Sequence, residues 1–337
     1  MNPHACNDAE IAAAGRFAPT PTGRLHLGNA RTALLAWLSA RSSGLRTILR
    51  VDDLDLAAMP KGCLQQQYAD LDWLGLRFDE GPRVGGPRGP YRQSQRYALY
   101  GQTLQTLNER GLIYPCWCSR KEVQLAAAAP HASDEGPVYP GTCRPATTTT
   151  IDDLASLPVK RGRTPSLRIN VAAAMAQLGD ERLEFNDRVM GPQSYAMARM
   201  IGDFVVQRVD GLAAYQVACS VDDAAMVCGE VIRGLDLLPS TARQLLILRS
   251  LGLSEPDYGH VGLVVDHRGE RLAKRNDAIA LCELRKNGVT SDQVIRLLAR
   301  LSGLPDTACL ETLTNAFNPS TLTAQEVSLP PAFEAVQ

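Results

Sequence analysis

Residues 15–31 read GRFAPTPTGRLHLGNAR, with two prolines, three glycines and a histidine set before a helix-spaced leucine run at 34, 35 and 38. The small-residue segment 11–18 predicts a short buried strand that runs into a Pro19–Gly23 turn, and the leucines predict a helix from Gly28 to about Ser42. Bare amides at a helix N-terminus attract anions, and glycines let a phosphate approach the backbone. No Gly-Lys-Ser/Thr follows, so the turn is not a P-loop, and the dinucleotide GxGxxG pattern is also absent. His26, Leu27, Gly28 and Asn29 stand where a phosphate would lie, and a histidine there can donate a hydrogen bond to charge building on a phosphoryl oxygen. Taken alone, the stretch reads more simply as a capping or packed histidine in an ordinary turn.

Outward from this turn, LRTILRV (45–51) predicts a second strand ending in Asp52, Asp53 and Asp55, and Leu64, Tyr68, Leu71 and Leu74 mark a further helix. Strand, turn, helix and strand in this order predict a parallel α/β sheet with its ligands at the carboxyl ends of the strands. Tyr97, Tyr100, Leu104 and Leu107 predict another helix, which Gly111 caps. Periodicity then fades over 113–190, which reads as an inserted subdomain. DFVVQRV and LAAYQVACSV flank Asp210-Gly211 and predict a hairpin, with Tyr215, Val217, Cys219 and Val221 on one strand face. A helix over 240–251, a VGLVV strand, the loop DHRGERLAKRNDA and a helix opened by a Thr290/Gln293 capping box follow; beyond Gly303 the chain reads as irregular.

The 337 residues carry a net charge of -1, so contact with RNA must come from local patches. No apolar run approaches the ~20 residues of a membrane span, and the N-terminus has no secretory pattern, so a cytoplasmic protein is expected. Only five of the 35 basic residues are lysines, which reads most simply as codon usage. Lys274 nonetheless stands in a glycine-punctuated loop after a predicted strand, where closure on a triphosphate would neutralise developing charge. A solvated basic turn is the plainer reading of that loop. Nine cysteines without an export signal are expected as thiols. Cys116, Cys118 and Cys143 cluster, one ligand short of a zinc site, or else are simply buried thiols. His131 and Tyr139 lie between them, and ligand frequency favours the histidine.

PTPTGRLHLGN resembles the HIGH signature of class I aminoacyl-tRNA synthetases, and RLAKR a degenerate KMSKS loop. Together with YRQSQR, LIYPCWCSR, YPGTCR, DGLAAYQVACSVDD and EVIRGLDLL, in order across about 14–303, they resemble the glutamyl-tRNA synthetase group. About sixty residues follow Lys274, so the closer resemblance is to the short branch of that group, the glutamyl-queuosine tRNA(Asp) synthetases. That resemblance implies activation of L-glutamate with ATP and transfer to the queuosine base in the anticodon of tRNA(Asp). A truncated synthetase charging a tRNA 3′ end and a weakened RNA-binding paralogue are the alternatives.

The resemblance implies a Rossmann-like class I core in two halves, 11–112 and 191–260, around an inserted zinc-containing subdomain at 113–190. A KMSKS-like loop and helical region at 261–305 and an irregular tail at 306–337 complete it, with no anticodon-binding domain and a monomer as the working unit. His26 and Lys274 become catalytic, and Gly28, Asn29 and Arg271 join them at ATP. Glutamate falls to Arg16, Phe17, Ala18, Pro19, Thr20, Asp52, Tyr215 and Arg233, the last a natural partner for the side-chain carboxylate. Mg²⁺ is expected with ATP. The family's Cys-x-Cys, Tyr-x-x-x-Cys pattern points to Tyr139, rather than His131, beside Cys116, Cys118 and Cys143 for one structural Zn²⁺. Asp52 departs from the family's usual glutamate, Ala273 from its serine and Arg271 from its lysine.

Overall fold

A computed structural model describes residues 13–126, 137–147, 150–160, 162–266, 269, 272 and 280–330. β1 (Ala14–Phe17), α1 (Leu27–Ser42), β2 (Arg46–Leu49), α2 (Cys63–Trp73) and α3 (Tyr97–Glu109) follow one another as the sequence predicts. Next come β3 (Ile113–Cys116), α4 (Arg120–Ala126), β4 (Ser166–Ile169), α5 (Val171–Leu178), β5 (Leu183–Asp187), β6 (Gly191–Tyr195), α6 (Met197–Met200) and β7 (Val205–Gln207). The remainder is α7 (Tyr215–Ala225), β8 (Cys228–Gly234), α8 (Leu238–Leu251), β9 (Asp257–Val261), β10 (Val264–Val265), α9 (Leu281–Lys286), α10 (Ser291–Arg300), α11 (Leu310–Ala316) and β11 (Val327–Ser328).

Six strands form the main sheet in the order β2-β1-β8-β9-β5-β6, parallel from β2 to β5, with β6 antiparallel at the edge. Leu27, Ala30, Leu34, Leu35 and Leu38 of α1 are buried in a core shared with α2, α10 and α11. Gly15 lets α1 sit close on β1, because a Cβ there would lie 2.6 Å from Cβ of Ala40. A second core joins α3, α5, α7 and α8 to the three-stranded sheet β3-β4-β7. Among the described residues no helix is long and apolar enough to cross a membrane.

Three expectations change. Tyr215–Ala225 is a helix, not the second arm of a hairpin, although Gly211 does make the turn at φ +83°. Its residues from Val217 to Asp223 are all buried, so no polar face separates a helical period from alternation. The inserted subdomain does not end at 190: β5 belongs to the main sheet, while β7 completes the insert's sheet. The region from 306 is not irregular throughout. α11 packs on the core through Leu313, Phe317 lies in it, and β11 pairs in parallel with β10.

Candidate active site

Strand order reverses between β1 and its neighbours β2 and β8, the place where parallel sheets open a crevice at their carboxyl ends. A cavity of about 780 Å³ occupies it. The end of β1 and its turn contribute Arg16, Phe17, Ala18, Pro19 and Thr20, the start of α1 contributes His26, Gly28 and Asn29, and Tyr215 and Arg233 enter from α7 and β8. Ten residues proposed from the sequence thus line one space. Arg271, Ala273, Lys274 and His131 lie outside the described residues, but Leu272 and Ala280, on either side of the Lys274 loop, line the same cavity.

His26 caps α1. Its Nδ1 accepts from the amides of Gly28 at 3.1 Å and Asn29 at 3.4 Å, while its own amide donates to Oδ1 of Asn29. The amides expected to be bare for a phosphate are therefore satisfied by the imidazole. With Nδ1 an acceptor, the neutral ring carries its proton on Nε2, which has no partner among the described residues. Burial lowers the pKa of His26 and favours this neutral form. A Cβ at Gly28 would lie 2.9 Å from the ring, so only glycine lets the imidazole fold over the first turn.

Behind the cavity lies a buried charge network. Asp223 holds Arg16 through Nε and Nη2, both at 3.1 Å, and accepts Nη1 of Arg50 at 2.5 Å. Burial pushes Asp223 up, but Arg16 and Arg50 outweigh it and hold the carboxyl well below its ordinary range. Asp222 accepts from Arg96 at 2.6 Å, Tyr100 at 2.8 Å and Gln93 at 3.1 Å. Asp52 does not line the cavity: Arg50 holds its carboxylate through Nε at 2.7 Å. Burial raises its pKa against the pull of Arg50.

Arg233 is fixed on three sides. Nη2 donates to Oγ1 of Thr241 at 2.6 Å, Nε to the ring of His260 at 3.0 Å, and the guanidinium lies 5.0 Å from the ring centre of Tyr258. Its buried Nη1 has no partner among the described residues. A bound carboxylate supplies what a buried guanidinium nitrogen lacks.

The thiols of Cys116, Cys118 and Cys143 lie within 4.8 Å of one another. The Tyr139 hydroxyl is 3.4 Å from Sγ of Cys116 and 3.6 Å from that of Cys118, and the two sulfurs of Cys118 and Cys143 are also 3.6 Å apart. Tetrahedral Zn–S bonds of ~2.3 Å put sulfurs about 3.8 Å apart, so four donors at these separations fit one metal ion. Arg168 donates to Cys116 at 3.3 Å and covers the Tyr139 ring, a setting that suits an anionic donor set.

Sequence reasoning missed Asp223, Arg50, Thr241 and His260. The signal for Asp223 was present: two adjacent carboxylates inside the apolar run QVACSVDDAAMVC demand buried cations.

The family described as tRNA synthetases class I (E and Q), catalytic domain, matches residues 13–333. A protein named Glutamyl-Q tRNA(Asp) synthetase from Symbiobacterium thermophilum is 49% identical over 299 residues, 87% of this chain and 87% of its own. One of the same name from Nitratidesulfovibrio vulgaris is 44% identical over 293 residues, with the same two shares. Glutamate--tRNA ligase 2 of Alkalilimnicola ehrlichii is 43% identical over 85% of this chain but only 58% of its own. The crystal structure of glutamate-tRNA synthetase from Elizabethkingia anophelis shares the fold, with a TM-score of 0.76 at 24% identity over 96% of this chain and 69% of that one. By the family match over nearly the whole chain and by these identities, the chain belongs to the class I tRNA synthetases for E and Q.

Proposed function

We propose that the chain activates L-glutamate with ATP and transfers the glutamyl group to queuosine in the anticodon of tRNA(Asp). The observation that supports this reading is the identity of 49% and 44% to two proteins named Glutamyl-Q tRNA(Asp) synthetase, each aligned over 87% of both chains. An oxygen of the glutamate α-carboxylate attacks the α-phosphorus of ATP, an O–P bond forms, and the bond to pyrophosphate breaks. A queuosine hydroxyl then attacks the carbonyl carbon of the adenylate, loses its proton and releases AMP. No side-chain nucleophile is needed; position and positive charge lower the barrier.

In this reading Arg233, whose Nη1 lacks a partner among the described residues, takes the substrate side-chain carboxylate, and Arg16, held by Asp223, adds charge at the same cavity wall. His26 donates from Nε2 to the phosphates. Lys274 and Arg271 enter only through the resemblance, supported by Leu272 and Ala280 at the cavity wall. Mg²⁺ accompanies ATP and screens its phosphates. One Zn²⁺ held by Cys116, Cys118, Tyr139 and Cys143 pins the insert between the two halves of the core, and a monomer performs the reaction.

Two assays test the proposal. Glutamate-dependent ATP–pyrophosphate exchange is expected without RNA, and is abolished or strongly reduced by Lys274→Ala. Radiolabelled glutamate is expected to join queuosine-containing tRNA(Asp), with or without its 3′-terminal adenosine, and not the queuosine-free transcript. Charging of that transcript overturns the queuosine reading in favour of 3′-end acylation, and absence of any exchange overturns both enzymes.

A further inference from the structure

Behind Arg233 stand two residues that do not themselves line the cavity. Asp187, at the end of β5, and His260, on β9, are both buried, and neither lines the cavity. The Oδ1 atom of Asp187 is committed to three backbone amides, Val189 and Met190 at 2.9 Å and His260 at 3.2 Å. Its Oδ2 lies 2.5 Å from Nδ1 of His260. Across the ring, Nε2 lies 3.0 Å from Nε of Arg233 and 3.0 Å from Oγ1 of Thr241. An arginine Nε is an obligate donor, so Nε2 must offer a lone pair and the ring proton must sit on Nδ1. Only an acceptor at Oδ2 sustains that tautomer.

We propose that Asp187 and His260 are positioning residues for substrate binding: Asp187 fixes the Nδ1–H tautomer of His260, which presents Nε2 to Arg233 and holds its guanidinium in place at the cavity for the substrate carboxylate. Burial lowers the pKa of His260 and keeps the ring neutral, as the relay requires. Stacking supports the geometry, since the Tyr258 ring lies 6.1 Å from His260 at 16° and also under Arg233 at 5.0 Å. Thr241 holds the remaining edge of the guanidinium, so rotation about its last bonds is blocked from two sides. The inference rests on the assignment of Arg233 to the glutamate side chain.

Asp187→Asn tests the relay with almost no change in shape. Three amides hold the amide oxygen at the Oδ1 position, so the NH₂ faces Nδ1 and drives the proton to Nε2, where it meets the N–H of Arg233. The expected result is a rise in the KM for glutamate of about tenfold or more, with the KM for ATP and kcat within about threefold. ¹⁵N spectra of histidine-labelled protein are expected to show the His260 proton moving from Nδ1 to Nε2. His260→Gln rotates its amide freely, so it is expected to keep the glutamate KM within about threefold and to cancel the effect of Asp187→Asn in the double variant. Should Asp187→Asn fail to fold, His260→Leu against His260→Gln carries the same contrast: the leucine raises the glutamate KM and the glutamine does not. An inverted tautomer with an unchanged glutamate KM overturns the relay, as does a His260→Leu variant equal to His260→Gln. Arg233→Lys separates the two layers: if it leaves the glutamate KM unchanged, the assignment of Arg233 fails and the relay with it, whereas a raised KM there with no effect of Asp187→Asn removes the relay alone.

Discussion

Arg16 on β1 and Asp223 on α7, 207 residues apart, meet through two parallel contacts, Nε to Oδ1 and Nη2 to Oδ2, each of 3.1 Å. The same carboxylate accepts Arg50, so one anion serves two buried cations and joins the first two strands to a helix from the second half of the core. The fork leaves Nη1 of Arg16 without a partner among the described residues, at the cavity wall. Substrate charge meets a guanidinium that is already fixed.

Asp223→Asn takes the paired carboxylate from Arg16 and leaves Arg50 with Asp52, and is expected to cost about 3–5 kcal/mol of stability, the range for breaking a buried pair. Urea unfolding at neutral pH measures it. In the parent protein the Asp223 pKa is held below its ordinary 3.8, so its contribution is complete above that value and lost as pH falls through the lower, folded one. The variant's stability curve is expected to be flatter in acid. Equal curves and equal midpoints would reject the role of the pair.

His26→Ala is expected to slow pyrophosphate exchange by about 10²–10³, the usual loss for one aimed hydrogen-bond donor. Gly28→Ala reaches the same ring indirectly, since its Cβ would displace the imidazole, and at least a tenfold loss is expected. Burial holds the His26 pKa below 6.5, so the neutral donor persists throughout the range above that value. Exchange should therefore be flat above pH 6.5 and fall only below it. A decline already complete at pH 6.5 contradicts the neutral ring.

Asp52 has its carboxylate turned to Arg50 and away from the cavity. A glutamate there extends the reach by about 1.5 Å, one bond length. Asp52→Glu is expected to keep or lower the KM for glutamate in the exchange assay. A rise beyond tenfold, about 1.4 kcal/mol, means the pocket is built around the shorter acid.

At the thiol cluster, the purified protein is expected to hold about one zinc by atomic emission. Cys118→Ser should lose it, because thiolates supply much of the affinity for this ion. Tyr139→Phe should weaken retention against a chelator, and His131→Ala should leave it unchanged. Release by His131→Ala but not by Tyr139→Phe hands the fourth position to the histidine. A metal-free parent protein returns all three thiols to the core.

The cavity wall was legible because it is written in local chemistry. Pro19, Gly23, His26 and the leucines of α1 declare a strand, a turn and a helix within thirty residues, and the crevice follows from the parallel sheet. The order of motifs added Tyr215 and Arg233 at long range. The adjacent carboxylates at 222 and 223 signal a need for buried cations, but not that Asp223 takes Arg16 and Arg50, because α7, buried from Val217 to Asp223, read as a strand. The withdrawal of Asp52 from the cavity depends on Arg50, two residues away, choosing it as a partner, which spacing does not reveal. His260 and Asp187 come together only when β5 and β9 pair, at Asp187 and Tyr258.

That pairing, with the shared sheet beside it, sets how the insert can be exchanged between relatives. β4 takes β7 as its outer neighbour, while β5 runs back into the main sheet and carries the carboxylate that faces His260. A graft cut at 113 and 190 would strip one sheet of its edge and import a foreign strand into the other. To be transplanted as a cassette, the insert has to run from Ile113 through Gln207, and the recipient must supply a β9 whose histidine suits the donor's Asp187.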